Sequence, residues 1–469
     1  MTQQTGELSD LAARAWELAG GPGELIARLT VSGPRTVLPA TFDVTGLAAG
    51  SVAAAVLAAA EYHAARNAAP AAGVRVDSFA ACAAFAAEAL FTPVGWSLPG
   101  PWDPIAGNYR ARDGWIRLHT NYAYHRAVVT RLLKADDRAS VQAAVGQWKA
   151  ADLEAAVVAA GGCAAAMRDR EDWLSSAPGA ASAAGPALAV AERPFRGGPA
   201  GAAARAEGQA AQPYAGVRVL DLTRVIAGPV CTRFLAAYGA DVLRLDPPGF
   251  AEVPALLPET TAGKRTAAVD LAAADGRAAF ERLVAGADVV VTGLRADALG
   301  RLGYDDAALT ALNPGLIIAS LNAYGWEGPW RDRRGFDSLV QMSCGIAAAG
   351  GDASGSDGPV PLPVQALDHA TGYLLATAVG RALTTRLTRS AASRIRASLT
   401  GTADFLWSLP RPVDLAGQPP MPRPGDIPLA DTLTAWGPGR RVPLAGQIAG
   451  VTPAAGVEAG PLGRHQPAW

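Results

Sequence analysis

The stretch 216–249, GVRVLDLTRVIAGPVCTRFLAAYGADVLRLDPPG, constrains the fold more than any other part of the chain. Residues 217–222 are a short apolar run, an Ala-Gly-Pro turn follows, 232–238 carry helical spacing, Gly239 ends the helix, and 241–245 return as a second buried strand. Two parallel strands around one helix make a βαβ unit, which predicts an α/β fold built on a Rossmann-like parallel sheet. The first turn lacks the G-x-G-x-x-G that lets a pyrophosphate approach a helix start, so no NAD or flavin dinucleotide is expected.

The formal net charge of the 469 residues is -1 and no long run of one sign occurs, which argues against nucleic acid or a membrane surface as the main partner and for a small-molecule ligand. The opening MTQQTGELSD has no basic or apolar leader pattern, and the most apolar helix, 51–60, is interrupted at Glu61, so a cytoplasmic protein is expected. Cys82, Cys163, Cys231 and Cys344 are scattered without a C-x-x-C pair, so reduced buried thiols and no metal site are expected.

Downstream of the βαβ unit come Gly263-Lys264-Arg265 with Asp270-Leu271, then Ala287-Asp288-Val289-Val290-Val291, the run 299–304 (LGRLGY) and Leu312-Asn313-Pro314. Ala323-Tyr324-Gly325, Gly328-Pro329 and Arg334-Gly335-Phe336-Asp337 follow. In this order, with the Val-x-Ala-Gly-Pro of 225–229, these stations resemble the family III CoA-transferases (the CaiB/BaiF family) from Gly216 to about Leu409. A weaker resemblance to the family's later portion covers much of 10–195. The resemblance implies an acyl-CoA:carboxylate CoA-transferase with coenzyme A as substrate, in acyl-CoA form, and a carboxylic acid acceptor. The fold it implies is a Rossmann-like sheet domain plus a smaller α+β domain, joined by long helices.

An isolated aspartate before a helix, such as Asp368 in PLPVQALDHATGY, is most simply an N-cap. The resemblance makes Asp368 the nucleophile, working through an aspartyl acyl anhydride and an aspartyl-CoA thioester, and a helix start near Ala370 would favour its ionised form. By the same resemblance the coenzyme contacts fall on Val225, Ile226, Ala227, Gly228, Lys264, Arg265, Thr292, Gly293, Arg301 and Arg334, with Arg301 and Arg334 suited to phosphate. GKRT at 263–266 is not a P-loop. His369 reads as a packing or capping residue, and Asp337 as a supporting acid or a salt-bridge partner for Arg334. Related racemases place a histidine where this chain has Phe336, which sets an α-methylacyl-CoA racemase-like isomerase behind the transferase. A catalytically degenerate CoA-binding or scaffold protein is the third reading.

The chain also repeats itself. The segment from Gly50 resembles that from Gly372, and Val74-Arg75-Val76 resembles Ser393-Arg394-Ile395, which places Gly46 opposite Asp368 and makes Asp43 the one nearby carboxylate of the first copy. The expected organisation is a degenerate helical repeat over 1–95, a small α+β domain over 96–185 with a hairpin at 109–118, and a linker over 186–213. The CoA-binding domain with the nucleophile spans 214–410, and a Pro/Gly-rich irregular tail spans 411–469. The family forms an interlocked dimer, and one small and one sheet domain in a single chain imply a monomeric pseudo-dimer, with a homodimer as the alternative.

Overall fold

The computed structural model describes residues 2–195, 211–412, 424–453 and 456–469. Its centre is a seven-stranded sheet of β1 (Leu188–Pro194), β2 (Arg218–Leu222), β3 (Asp241–Asp246), β4 (Lys264–Ala268), β5 (Val289–Thr292), β6 (Ile317–Asn322) and β7 (Ala391–Ser398), in the spatial order β4-β3-β2-β5-β6-β7-β1. All pairings are parallel except that of β1 with β7. β5 and β6 are buried at every residue, as strands covered by helices on both faces must be. The strand order reverses between β2 and β5, where an open α/β sheet leaves a crevice at the carboxyl ends of its strands.

The helix after β2, α2 (Ala227–Ala237), starts five residues earlier than the spacing alone predicts, because Pro229 sits in its first turn, where a missing N–H costs nothing. Beneath that turn lies a buried ion pair. Lys264 Nζ on β4 donates to Asp221 Oδ2 at 2.9 Å, to Thr232 Oγ1 at 2.6 Å and to the Pro229 carbonyl at 3.1 Å. Burial alone would raise the Asp221 carboxyl, but Lys264, Arg244 and the Thr223 and Thr232 hydroxyls hold it below its ordinary value. Burial in turn lowers the Lys264 ammonium to about 8.

Two long helices of like sequence, α1 (Val44–Arg66) and α4 (Ala366–Arg389), pack against each other at the centre of the molecule. α1 has the length and apolarity of a membrane span, yet nearly all of it is buried inside the fold. Each is followed by a strand and a short helix: Val74–Asp77 with Ser78–Ala84, and β7 with Leu399–Ser408. The residue ending each strand caps the next helix, Asp77 in one copy and Ser398 in the other. Matching the caps sets Val74 opposite Ile395, a two-residue correction to the alignment with Ser393 suggested by the sequence.

The unit after α1 pairs strands Gly107–Arg110, Trp115–Leu118 and Ala164–Ala166 antiparallel and covers them with three helices around a core of their own. Two expectations change. Within the expected linker, residues 188–194 are the antiparallel edge strand β1, while 196–210 lie outside the described residues. Within the expected irregular tail, of which 413–423 and 454–455 are outside the described residues, Ala430–Thr434 and Gly437–Arg441 form a hairpin that pairs with Thr92–Pro93. Gln447–Ile448 joins Val74–Asp77, and Trp469 Nε1 donates to the Leu283 carbonyl at 2.8 Å. The hairpin is local, but what it and Gln447–Ile448 pack against lies hundreds of residues away, so composition alone reads this stretch as irregular.

Lys264→Ala leaves the buried Asp221 charge without its cation and is expected to cost about 3–5 kcal/mol of unfolding free energy. Urea unfolding measures this, and a loss below about 1 kcal/mol would show that the pair is not a core element.

Candidate active site

Crossover helices run back against the strands they connect, so their starts stand at the carboxyl edge of the sheet. This geometry brings the start of α2 and the start of α4 together beside the β2–β5 crevice. Gly372 lets them approach, since a Cβ there would lie 2.5 Å from the Ala227 carbonyl oxygen. A cleft of about 350 Å³ opens at this edge, lined by Arg224, Val225, Ile226 and Ala227 after β2, Gly293 and Arg295 after β5, Asn322 at the end of β6, and Arg333, Arg334 and Phe336 beyond it. Tyr122, Tyr124 and His125 close it from the small α+β unit, and Asp368 lines it from α4.

Val225 holds φ at +64°, a strained conformation for a β-branched residue. Glu252 fixes it: Oε2 accepts the Val225 N–H at 3.0 Å, while Oε1 accepts the Tyr122 hydroxyl at 2.7 Å from the small unit. Fully buried Arg244 balances this carboxylate, donating to Glu252 at 3.1 Å and to Asp246 at 2.8 Å. One glutamate therefore holds both walls of the cleft.

Asp368 is the third residue of α4, which begins at Ala366 and not near Ala370. Gln365 at the N-cap position offers no side-chain bond. The cap comes instead from α3 (Asp337–Ser343), whose Asp337 Oδ2 accepts the Leu367 N–H at 2.9 Å and the Asp368 N–H at 3.1 Å, while the Gln341 amide donates to Oδ1. The expected pairing of Asp337 with Arg334 does not occur; Arg334 Nη1 donates to the Gly161 carbonyl at 3.0 Å. Asp368 is only 6% exposed, and among the described residues its carboxyl oxygens take no hydrogen bond. Burial first, then the Asp337 and Glu88 carboxylates, push its carboxyl well above the ordinary range. The helix start does not ionise Asp368 because Asp337 already occupies that favourable position. Burial raises Asp337 too, but its three N–H donors keep the charge of the pair there.

A second cavity, of about 620 Å³, meets the first at Asp368 and shares Tyr122, Val225, Ile226 and Phe336 with it. Its walls come from 88–102, His119 and the loop 253–256. His119 stacks on Phe336 with ring centroids 3.7 Å apart, and burial holds its imidazole down to about 3. His369 points away, its Nε2 3.0 Å from Glu88 and its ring stacked on Phe85.

Of the sequence-derived contacts, Val225, Ile226, Ala227, Gly293 and Arg334 line the first cleft. Thr292 lines a neighbouring recess with Arg295. Three cations and one glycine do not reach the cleft. Lys264 is consumed by Asp221, Arg265 pairs with Asp241 at 2.9 Å and lies over Trp469, and exposed Arg301 pairs with Asp297 one helical turn away. Gly228 packs on Thr223, where a Cβ would meet side-chain carbon at 2.3 Å. The sequence reading missed Arg224, Arg295 and Arg333; the ends of β2 and β5 mark the first two, since residues just past parallel strands face the crevice. Among the described residues no His, Cys, Asp and Glu group could hold a metal, and all four cysteines are buried and unpaired.

The first repeat copy has no equivalent site. Asp43 is the N-cap of α1, matching Gln365, and it bonds Arg35 Nη1 at 2.6 Å and the Gly46 N–H at 2.8 Å. A side chain at Gly46, the counterpart of Asp368, would meet Asp43 and Leu11 at 2.3 Å.

Residues 214–426 match the model of CoA-transferase family III. A succinate–glutarate CoA-transferase of Agrobacterium fabrum is 34% identical over 36% of this chain and 47% of its own. A probable fatty acyl-CoA transferase of Mycobacterium tuberculosis is 32% identical over 41% of this chain and 52% of its own. The chain thus spans about half the length of these curated relatives. A solved CaiB/BaiF family protein of Brucella suis is 25% identical, covering 48% of this chain and 65% of that one, with a TM-score of 0.36. The likeness to CoA-transferase family III thus lies in 214–426, the segment that carries six of the sheet's seven strands and the start of α4.

Proposed function

We propose that the chain is an acyl-CoA:carboxylate CoA-transferase with Asp368 as its nucleophile. The supporting observation is a nearly buried carboxyl without hydrogen-bond partners, placed where an arginine-edged cleft meets an aromatic cavity. The carboxylate of Asp368 attacks the acyl carbonyl of the donor thioester; the C–S bond breaks, CoA leaves as thiolate and an acyl aspartyl anhydride forms. The thiolate then attacks the aspartyl carbonyl, the anhydride C–O bond breaks, the donor acid departs and Asp368 holds CoA as a thioester. An acceptor carboxylate repeats the two steps in reverse. Burial keeps water from both intermediates. Arg224 and Arg334 fit the phosphates of CoA, and Val225, Ile226 and Gly293 its approach to the sheet.

Tyr122, Tyr124 and His125 complete the cleft from within the same chain, which supports a monomer with one site. Light scattering at low micromolar concentration should give the mass of one chain.

Asp368→Asn should abolish CoA exchange, by about 10⁴-fold or more, the scale of losing a covalent nucleophile. The variant should also be more stable than the parent at pH 8 by about 1–3 kcal/mol. Asp368 binds its proton more tightly folded than unfolded, so the parent loses stability as pH rises from the unfolded value through the folded one. The gain should vanish below pH about 4, where both states are protonated. Wild-type exchange should rise with pH across the titration of the Asp337–Asp368 pair. Retained exchange in the variant, with the donor and acceptor used for the parent, would sink the mechanism.

Arg224→Ala and Arg334→Ala should each weaken CoA binding about tenfold or more, the worth of a charge-assisted bond. Arg301→Ala should leave it unchanged. Calorimetric titration with CoA separates the three.

A further inference from the structure

The 620 Å³ cavity has a charge pattern that restricts the acid it can hold. Every charged side chain lining it among the described residues is acidic, namely Glu88, Asp337 and Asp368. The arginines at the site, Arg224, Arg295, Arg333 and Arg334, line the other cleft and not this cavity. The remaining wall is apolar and aromatic, with Phe91, Trp96, Leu98, Trp102 and Leu256 contributing. Arg117 lies beyond Trp102, its guanidinium 5.1 Å from the indole, and faces an adjoining recess of about 120 Å³ that shares Trp102, Asp337, Ser338 and Gln365 with the cavity, without lining the cavity itself.

Resting on the transferase reading, we infer that the acid exchanged at Asp368 is an uncharged-chain monocarboxylic acid with a bulky apolar body, and that dicarboxylic acids are excluded. The reacting carboxyl group of the acid sits at Asp368, and the rest of the molecule must enter the aromatic cavity. A second carboxylate there would be stripped of water among three acidic groups, with no cation in the cavity wall to receive it. An aryl or alkyl body instead buries its surface against indole and leucine side chains, which is what such concave apolar sites recognise.

The test compares exchange of labelled CoA into 3-phenylpropanoyl-CoA, hexanoyl-CoA and glutaryl-CoA. The first two should exceed glutaryl-CoA in kcat/KM by about tenfold or more, a modest demand for the exclusion of a buried charge. Leu256→Arg, which sets a guanidinium in the cavity, should shift the ratio toward glutaryl-CoA. Glutaryl-CoA exchanged by the parent as well as the others overturns the inference, whatever the variant does. If none of the thioesters exchanges, the transferase reading fails. The cavity is then judged by calorimetry with the free acids alone. 3-Phenylpropanoate bound more tightly than glutarate sustains the inference; equal or absent binding overturns it.

Discussion

Two backbone N–H groups at the start of α4 are satisfied by a carboxylate that α4 does not carry, and the site depends on this bond. A helix normally brings its own cap, and Gln365 cannot act as one. Asp337 reaches in from α3 and accepts the N–H of Leu367 and of Asp368 itself, so the backbone at Asp368 is pinned while its side chain stays unbonded. The same carboxylate raises the proton affinity of Asp368 across a short gap of low dielectric. Position and proton affinity thus share one cause, and a change at Asp337 alters both.

A second carboxylate does comparable work at the opposite wall. Glu252 ties a strained residue of the sheet edge to a tyrosine of the small unit, and buried Arg244 donates to that glutamate at 3.1 Å. Strain of this kind persists only where neighbours over-determine the backbone. Here the neighbours belong to two units of the chain, so the shape of the cleft is coupled to their docking. Neither unit alone would preserve it.

The βαβ segment was legible because its pattern is local: apolar runs, a breaker and helical spacing within thirty-odd residues. The resemblance singled out Asp368, but sequence could not identify its helix's cap, since Asp337 and Asp368 meet only after the intervening chain turns back. Nor could it sort Lys264 from Arg265. Neighbours on a strand point to opposite faces, so one entered the core beside Asp221 and the other lay across Trp469, and neither reached the cleft. Trp96 and Trp102, at the opening of the expected small domain, line the larger cavity, a role that no local pattern indicates. The tail read as irregular because composition reports Pro and Gly, while its hairpin docks on Thr92–Pro93 and its last strand on Val74.

The filled counterpart at Gly46 has an evolutionary meaning. In a two-fold dimer every residue appears twice, so a change at one face of the interface is imposed on both. Here the two like helices are encoded separately, and Asp43 with Arg35 occupies one end while Asp368 stands open at the other. Such a pair of surfaces can drift independently. One copy is free to become pure scaffold, tuned for packing alone, while the other keeps a costly buried acid open to two cavities.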